Sequence, residues 1–351
     1  MIDETAGSVD RAPARAGFDP GWFACVMASG IISVGADLLG QSLLSDISLA
    51  VAAAAALVLI PGYVRATLHR EEFRATVADP SRAMAYFTLV AGADVLGVRF
   101  AGAGHPQVAV VLGAAAAALW LVLSYLLPWH IVISARRPVL RDINGTWLIW
   151  VVATQSIAIV SAAISASAPT EGLRRALPAV AVSMWGVGVM LYIILIVIIF
   201  LRLLLVEITP AEMGPPYWIA MGATAISTRA ATGILAIHST GSGALVRQMR
   251  PMLVDLSVIL WAFGTWWIPL LVLFGVWRHV LRRYPLTFEP RLWSVVFPLG
   301  MYTVASYTLG KEQGLGFMVD IARAWLWVGA AAWAATLGLM VAHGARSRTR
   351  R

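Results

Sequence analysis

Ten apolar stretches, each about as long as a lipid bilayer is thick, leave this chain very few folds to choose from. We place them at 18–39, 46–66, 82–99, 106–128, 144–168, 178–203, 215–238, 253–277, 291–310 and 320–343. A helix of roughly 17–25 apolar residues crosses the hydrocarbon core. Within lipid the backbone must satisfy its own hydrogen bonds, so such stretches fold as helices. Composition agrees: of 351 residues, 60% are hydrophobic and only 13% are charged. Mean hydropathy is +0.79. Soluble domains are about 45–50% apolar and about 25% charged. The expected class is therefore an all-α polytopic membrane protein with ten transmembrane helices. The longest connections, near 66–81 and 278–290, are too short for a folded soluble domain. The expected organisation is an N-terminal tail at 1–17, one membrane domain at 18–343 and a basic C-terminal tail at 344–351.

The stretches alternate in kind. Five open on an aromatic residue and continue with small ones: PGWFACVMASGI, SRAMAYFTLVAGAD, NGTWLIWVVATQSI, PPYWIAMGATAIST and PRLWSVVFPLGMYT. Their heads are Trp22, Tyr86/Phe87, Trp147, Trp218 and Trp293. The steps between heads, about 60–75 residues, each hold two spans. The unit is thus a helical hairpin repeated five times, and internal repeats are common in transporters. Even-numbered spans such as 106–128 and 178–203 are greasier, as suits a lipid-facing helix. The odd spans hold the small and polar residues, among them Ser29, Gly30, Thr154, Gln155 and Thr224. Small residues let helices approach closely. They point either to tight packing alone or to an inner ring of five parallel helices around a central pore, with these five residues as candidate pore lining.

Positive charge sets the expected orientation. With the N-terminus inside, inner loops and tails hold 18 of the 26 basic residues and the other side holds 7, Arg229 being within a span. Such a bias predicts that both termini are cytoplasmic in a multi-pass protein of the cell membrane. The net charge of +8 then marks topology and anionic lipid, not nucleic acid. Residues 1–17 are of mixed charge and do not resemble a cleavable signal.

No Walker A loop, G-x-S-x-G elbow or H-E-x-x-H helix occurs, so no enzyme is indicated. The six histidines are scattered, and Cys25 is the only cysteine. No metal or cofactor is expected, and Cys25 reads as a small apolar filler. Asn144 opens a sequon but sits where a helix needs an N-cap. Three charges lie at or near membrane depth: Arg229, Asp94 and Asp255. A charge at the bilayer centre costs about 2.5–3.5 kcal/mol on insertion scales, so Arg229 should face protein or water. Asp94 and Arg229 either form an ion pair that locks two helices or act on the path itself. Asp37, Arg202 and Glu207 lie nearer span ends and read as interfacial. Pro298 follows Phe297 and precedes Gly300 by two residues. Proline frees a carbonyl and bends a helix, so Pro298 and Gly300 mark a candidate kink beside a bulky ring. Pro61 and Pro269 are read as packing adjustments.

The segments at 20–31, 144–159, 215–226 and 292–302 resemble the tellurite-resistance/dicarboxylate transporter family. That family includes plant slow anion channels, yeast malate carriers and sulfite exporters, within the voltage-dependent anion channel superfamily. The resemblance covers all ten spans. It implies five helical hairpins in a quasi-five-fold array, commonly in homotrimers, and a phenylalanine on the ninth helix that plugs the pore. Phe297 stands at the matching position, as a pore gate. The chain departs from channel members in placing Asp94 and Arg229 in inner-ring spans, and it lacks their long regulatory tails. The function implied is passage of small inorganic or organic anions across the membrane. The alternative is proton-coupled transport of four-carbon dicarboxylates such as malate, with Asp94 as the proton site. Tellurite resistance could follow from anion passage.

Overall fold

The computed structural model describes residues 18–134, 139–237 and 243–348. The tail at 1–17 and His238 lie outside the described residues. Among those described, all regular structure is helical. The inner helices are α1 (Ala24–Leu38), α5 (Phe87–Gly102), α7 (Ile149–Ile164), α9 (Ile219–Leu235) and α11 (Trp293–Gln313). Each is followed by a longer outer partner: α2 (Ser42–Leu68), α6 (Pro106–Ser134), α8 (Glu171–Leu205), α10 (Gly243–Val276) and α12 (Gly316–Arg348). Two short helices, α3 (Arg70–Val77) and α4 (Pro80–Met84), link the first hairpin to the second.

Each inner helix packs on its own outer partner, and the inner helices pack on one another in the cyclic order α1, α5, α7, α9, α11 and back to α1. The ring is closed, with five-fold pseudosymmetry. Burial separates the two kinds of helix. In the apolar stretches of α1, α5, α7 and α11, 72–83% of residues are buried, against 22–39% in the five outer helices. The outer helices therefore present apolar side chains such as Leu57, Ile194, Leu273 and Trp327 outward, as lipid requires.

Nine helical segments among the described residues are long and apolar enough to cross a membrane. The remaining member of the ten is Pro215–Trp218 with α9. It carries Arg229, Thr224, Ser227, Thr228 and Thr232, and nearly all of it is buried by neighbours. A helix wrapped by protein need not be greasy enough to dissolve in lipid.

The aromatic heads have a structural purpose. Tight turns Pro20–Phe23, Gly145–Leu148, Pro215–Trp218 and Pro290–Leu292 precede α1, α7, α9 and α11, and α4 takes that place before α5. Proline suits a first turn because the N–H it lacks would have no helical partner there. Asn144 caps its turn, its side-chain oxygen accepting from Thr146 N–H at 2.9 Å. These five starts touch in a ring of their own at one end of the bundle, which we term the near end. Gly145 is required there, since a β-carbon would overlap the backbone of Pro216 and Tyr217. At the far end three hairpins turn at Gly40, Gly104 and Gly314, all at positive φ, where other residues are strained. The helices containing Pro61, Pro269 and Pro298 are continuous through them.

Outer helices are keyed to the next hairpin around the ring. Trp120 of α6 donates its indole N–H to Thr154 of α7 at 2.8 Å. Trp185 of α8 donates to the Ser227 carbonyl of α9 at 3.1 Å. Trp261 of α10 donates to Ser306 of α11 at 2.8 Å. Trp333 of α12 donates to Ser29 of α1 at 2.9 Å, closing the circle. The fifth seam, α2 to α5, uses Arg99 instead. Its guanidinium donates to Ser33 and Ser45, each at 3.1 Å, and pairs with Asp37 at 3.2 Å. A buried indole N–H or guanidinium in lipid-like surroundings needs such a partner.

Candidate functional site

A small axial cavity of about 30 Å³ lies where the five inner helices meet. Every inner helix contributes to it: Ile31 and Val34, Asp94 and Val98, Ser156 and Ile159, Ile226 and Arg229, and Met301 and Val304. Its volume admits a couple of waters and no hydrated anion. A larger cavity of about 480 Å³ lies between the far halves of α7 and α9, lined by Ala162, Ser165, Ala166, Gly233 and Ile237. Ile159 and Arg229 line both. Arg229 is thus the charged residue at the junction of the two.

Asp94 and Arg229 share the axial cavity but form no salt bridge. Asp94 is 1% exposed. Its Oδ2 accepts from the Ser156 hydroxyl at 2.6 Å, while Oδ1 is buried without a partner. The Arg229 guanidinium has no hydrogen-bond or ion-pair partner among the described residues. An unpaired guanidinium at membrane depth is costly and attracts anions.

Phe297 is fully buried. At 3.6 residues per turn, it shares a face of α11 with Met301 and Val304, offset by about 40° and 20°. It stands one turn toward the near end from the axial cavity. Pro298 and Gly300 flank that face. A β-carbon at Gly222 of α9 would come within 2.9 Å of the Pro298 ring, and one at Gly300 within 2.8 Å of Ile31 of α1. α11 is therefore wedged between α9 and α1, and Phe297 lies on the helix face that carries Met301 and Val304. The same-face residues one turn toward the near end on three other inner helices, Met27, Ala91 and Val152, are buried and apolar, so this layer is uncharged.

The five residues expected to line the pore do not line the axial cavity. Ser29 accepts from Trp333 and Thr154 from Trp120. Gln155 donates to the Trp185 carbonyl at 3.2 Å and lies against Gly188 of α8. Thr224 bonds the Met221 carbonyl and packs on Gly264 of α10. Gly30 faces Val95 of α5. They fill seams between helices because an inner helix is wrapped by protein on several sides and only one narrow face reaches the axis.

Sequence reasoning passed over the tryptophan keys, although tryptophan deep in an apolar span departs from its interfacial habit and was a usable signal. Arg99, one of the seven basic residues counted on the outer side, is buried in the seam between α2 and α5. Arg202, read as interfacial, is 2% exposed. It donates to Tyr217 Oη at 2.6 Å, to the Arg141 carbonyl at 3.3 Å and to Glu212 at 3.4 Å, holding the near-end loop. Arg278 does the same from the helical turn Trp277–Leu281 that follows α10, with the Met213 carbonyl at 2.9 Å and Glu289 at 3.6 Å. Asp255 is exposed, away from the cavities. Cys25 is buried in the core. Among the described residues no cluster of His, Cys, Asp or Glu could hold a metal.

The profile of the voltage-dependent anion channel family (SLAC1) matches residues 17–341. The chain belongs to this family. An uncharacterized membrane protein of Mycobacterium tuberculosis is 41% identical over 153 residues, 44% of this chain and 76% of that protein. An uncharacterized transporter of Methanocaldococcus jannaschii is 26% identical over 332 residues, 91% of each chain. A sulfite efflux pump of Arthroderma otae is 24% identical over 366 residues, covering 93% of this chain and 92% of that pump. Along the axial cavity the chain places two charged side chains, Asp94 and Arg229, beside Ser156 and apolar residues.

Proposed function

We propose that this protein passes small anions along the axis of its inner ring, with Arg229 as the anion-attracting charge and Phe297 as the gate. The observation that carries the reading is the unpaired Arg229 guanidinium at the junction of the axial and far cavities. Membership in the voltage-dependent anion channel family supports it, as does the similarity to a fungal sulfite efflux pump. A cation placed on the path offsets part of the cost of dehydrating an anion. The purified protein in liposomes under a chloride or nitrate gradient should carry anion current, and Arg229→Gln should reduce it at least about tenfold, as expected when one close unscreened charge is lost. Currents unchanged in folded R229Q would sink this role.

The near end is assigned to the cytoplasm, with both termini inside the cell membrane, from the positive-charge bias. The only cysteine is buried, so Ser347→Cys gives a clean label site. It should react with a membrane-impermeant maleimide only after cells are permeabilised; labelling of intact cells overturns the orientation.

A second reading rests on Asp94, a fully buried carboxylate with one unpartnered oxygen. In a proton-coupled dicarboxylate carrier this group would take up the coupled proton. That reading requires saturable malate uptake driven by a pH gradient and abolished in Asp94→Asn; uptake in D94N that keeps its proton coupling removes it.

A further inference from the structure

The Arg229 side chain lies back along its own helix. A β-carbon at Gly233, one turn further on, would come within 2.8 Å of Arg229 Nη1. The guanidinium therefore rests on bare backbone, in a space that any side chain at 233 would fill. On its other side, across the axial cavity, stands Asp94 with Oδ1 free. An arginine side chain has enough rotatable bonds to swing between the two. One guanidinium thus has two possible carboxylate-type partners: Asp94 on the axis, or an anion entering the far cavity.

We propose that Gly233 is a positioning residue that seats the Arg229 guanidinium toward the far cavity, and that Asp94 is a tethered rival for it. The site then accepts a free anion only while the seat keeps arginine and carboxylate apart. This rests on Arg229 being the anion site. The probe for the test is chosen to fit the guanidinium. A guanidinium offers paired N–H donors that match two oxygens of one planar group, so an oxyanion such as nitrate or a small carboxylate gains two hydrogen bonds where a halide presents a single acceptor atom. The far cavity, about 480 Å³, has room for such an ion. A methyl at 233 would stand within 2.8 Å of Arg229 Nη1, closer than real β-carbon contacts come, so the guanidinium must leave its seat.

The test uses the full chain in liposomes and measures initial nitrate influx against nitrate concentration, with chloride in parallel. Gly233→Ala should raise the half-saturating nitrate concentration about tenfold, the factor that corresponds to one modest ion pair gained by the rival. The Gly233→Ala/Asp94→Asn double variant should return to within about twofold of wild type, because the rival is gone. A packing fault at Gly233 would not be relieved by a change at Asp94. An unshifted G233A, or a shift that D94N leaves in place, overturns the seat. Where G233A fails to fold, Asp94→Asn alone decides: a lower half-saturating concentration supports the rivalry, and an unchanged or higher one overturns it. Arg229→Gln separates the two levels. R229Q with wild-type half-saturation overturns the anion site and the seat together, whereas impaired R229Q beside unaffected G233A overturns the seat alone.

Discussion

Truncating Phe297 should make the protein less stable and more permeable at once. The ring is fully buried, so Phe297→Ala leaves a void of roughly 100 Å³ if its neighbours do not collapse, at about 24 cal/mol per Å³ a cavity cost near 2.4 kcal/mol. Lost transfer energy brings the total to about 3–5 kcal/mol, the usual range for a buried phenylalanine. The void would open toward an axial cavity of about 30 Å³ that already carries Asp94, Ser156 and Arg229. Engineered voids lined only by hydrocarbon stay dry, but a space with several polar partners takes up water. The apolar layer around Met27, Ala91 and Val152 would then carry water past it. The assay pairs thermal unfolding in detergent with anion current in planar bilayers. F297A should unfold at a lower temperature than wild type and conduct more. A destabilised F297A with unchanged current would refute the gate, because the void would exist without being on the path. An F297A that is neither destabilised nor more conductive would refute the burial argument itself.

Two further outcomes test the scaffold. Trp333→Phe and Ser29→Ala each break the key that closes the ring between the last hairpin and the first; a double-mutant cycle read by thermal unfolding should give a coupling of about 0.6–1.7 kcal/mol, and additive effects would mean the bond contributes nothing. Glu212 lies in the near-end loop, outside the spans. Its carboxyl is held below the ordinary glutamate range by the Thr209 backbone N–H first, with the Thr209 hydroxyl and Arg202 adding to this against partial burial. A depressed carboxylate contributes stability that is present above its unfolded pKa, near 4.3, and is lost as pH falls through its lower folded value. Glu212→Gln should therefore narrow the difference in unfolding temperature between neutral pH and pH below about 4; an identical acid profile in E212Q would show that the loop is held without this charge.

The number, order and alternation of the helices are legible in the chain, because membrane spans must be long, apolar and hydrogen-bonded within themselves. The chain also marks the starts of the inner helices: Trp147 and Trp218 sit in tight turns beside proline or glycine, and Asn144 caps as its side chain dictates. The pairing of small-residue spans into an inner ring was legible for the same reason, since lipid excludes their polar groups. The rotation of each inner helix about its own axis comes instead from packing in three dimensions. A surface helix announces its buried face by alternation with polar residues. An inner helix touches protein all round, so serine, threonine and glycine occur on every side and the pattern carries no phase. That is why Ser29, Thr154, Gln155 and Thr224 turn into seams with outer helices, while Val34, Ile159 and Met301 reach the axis. The rotation is set by close approaches between segments far apart in sequence, such as Gly30 on Val95 and Gly222 on Pro298. Those same contacts leave Arg229 beside Asp94 yet unpaired, a relation between residues 135 positions apart that no local pattern in the chain records.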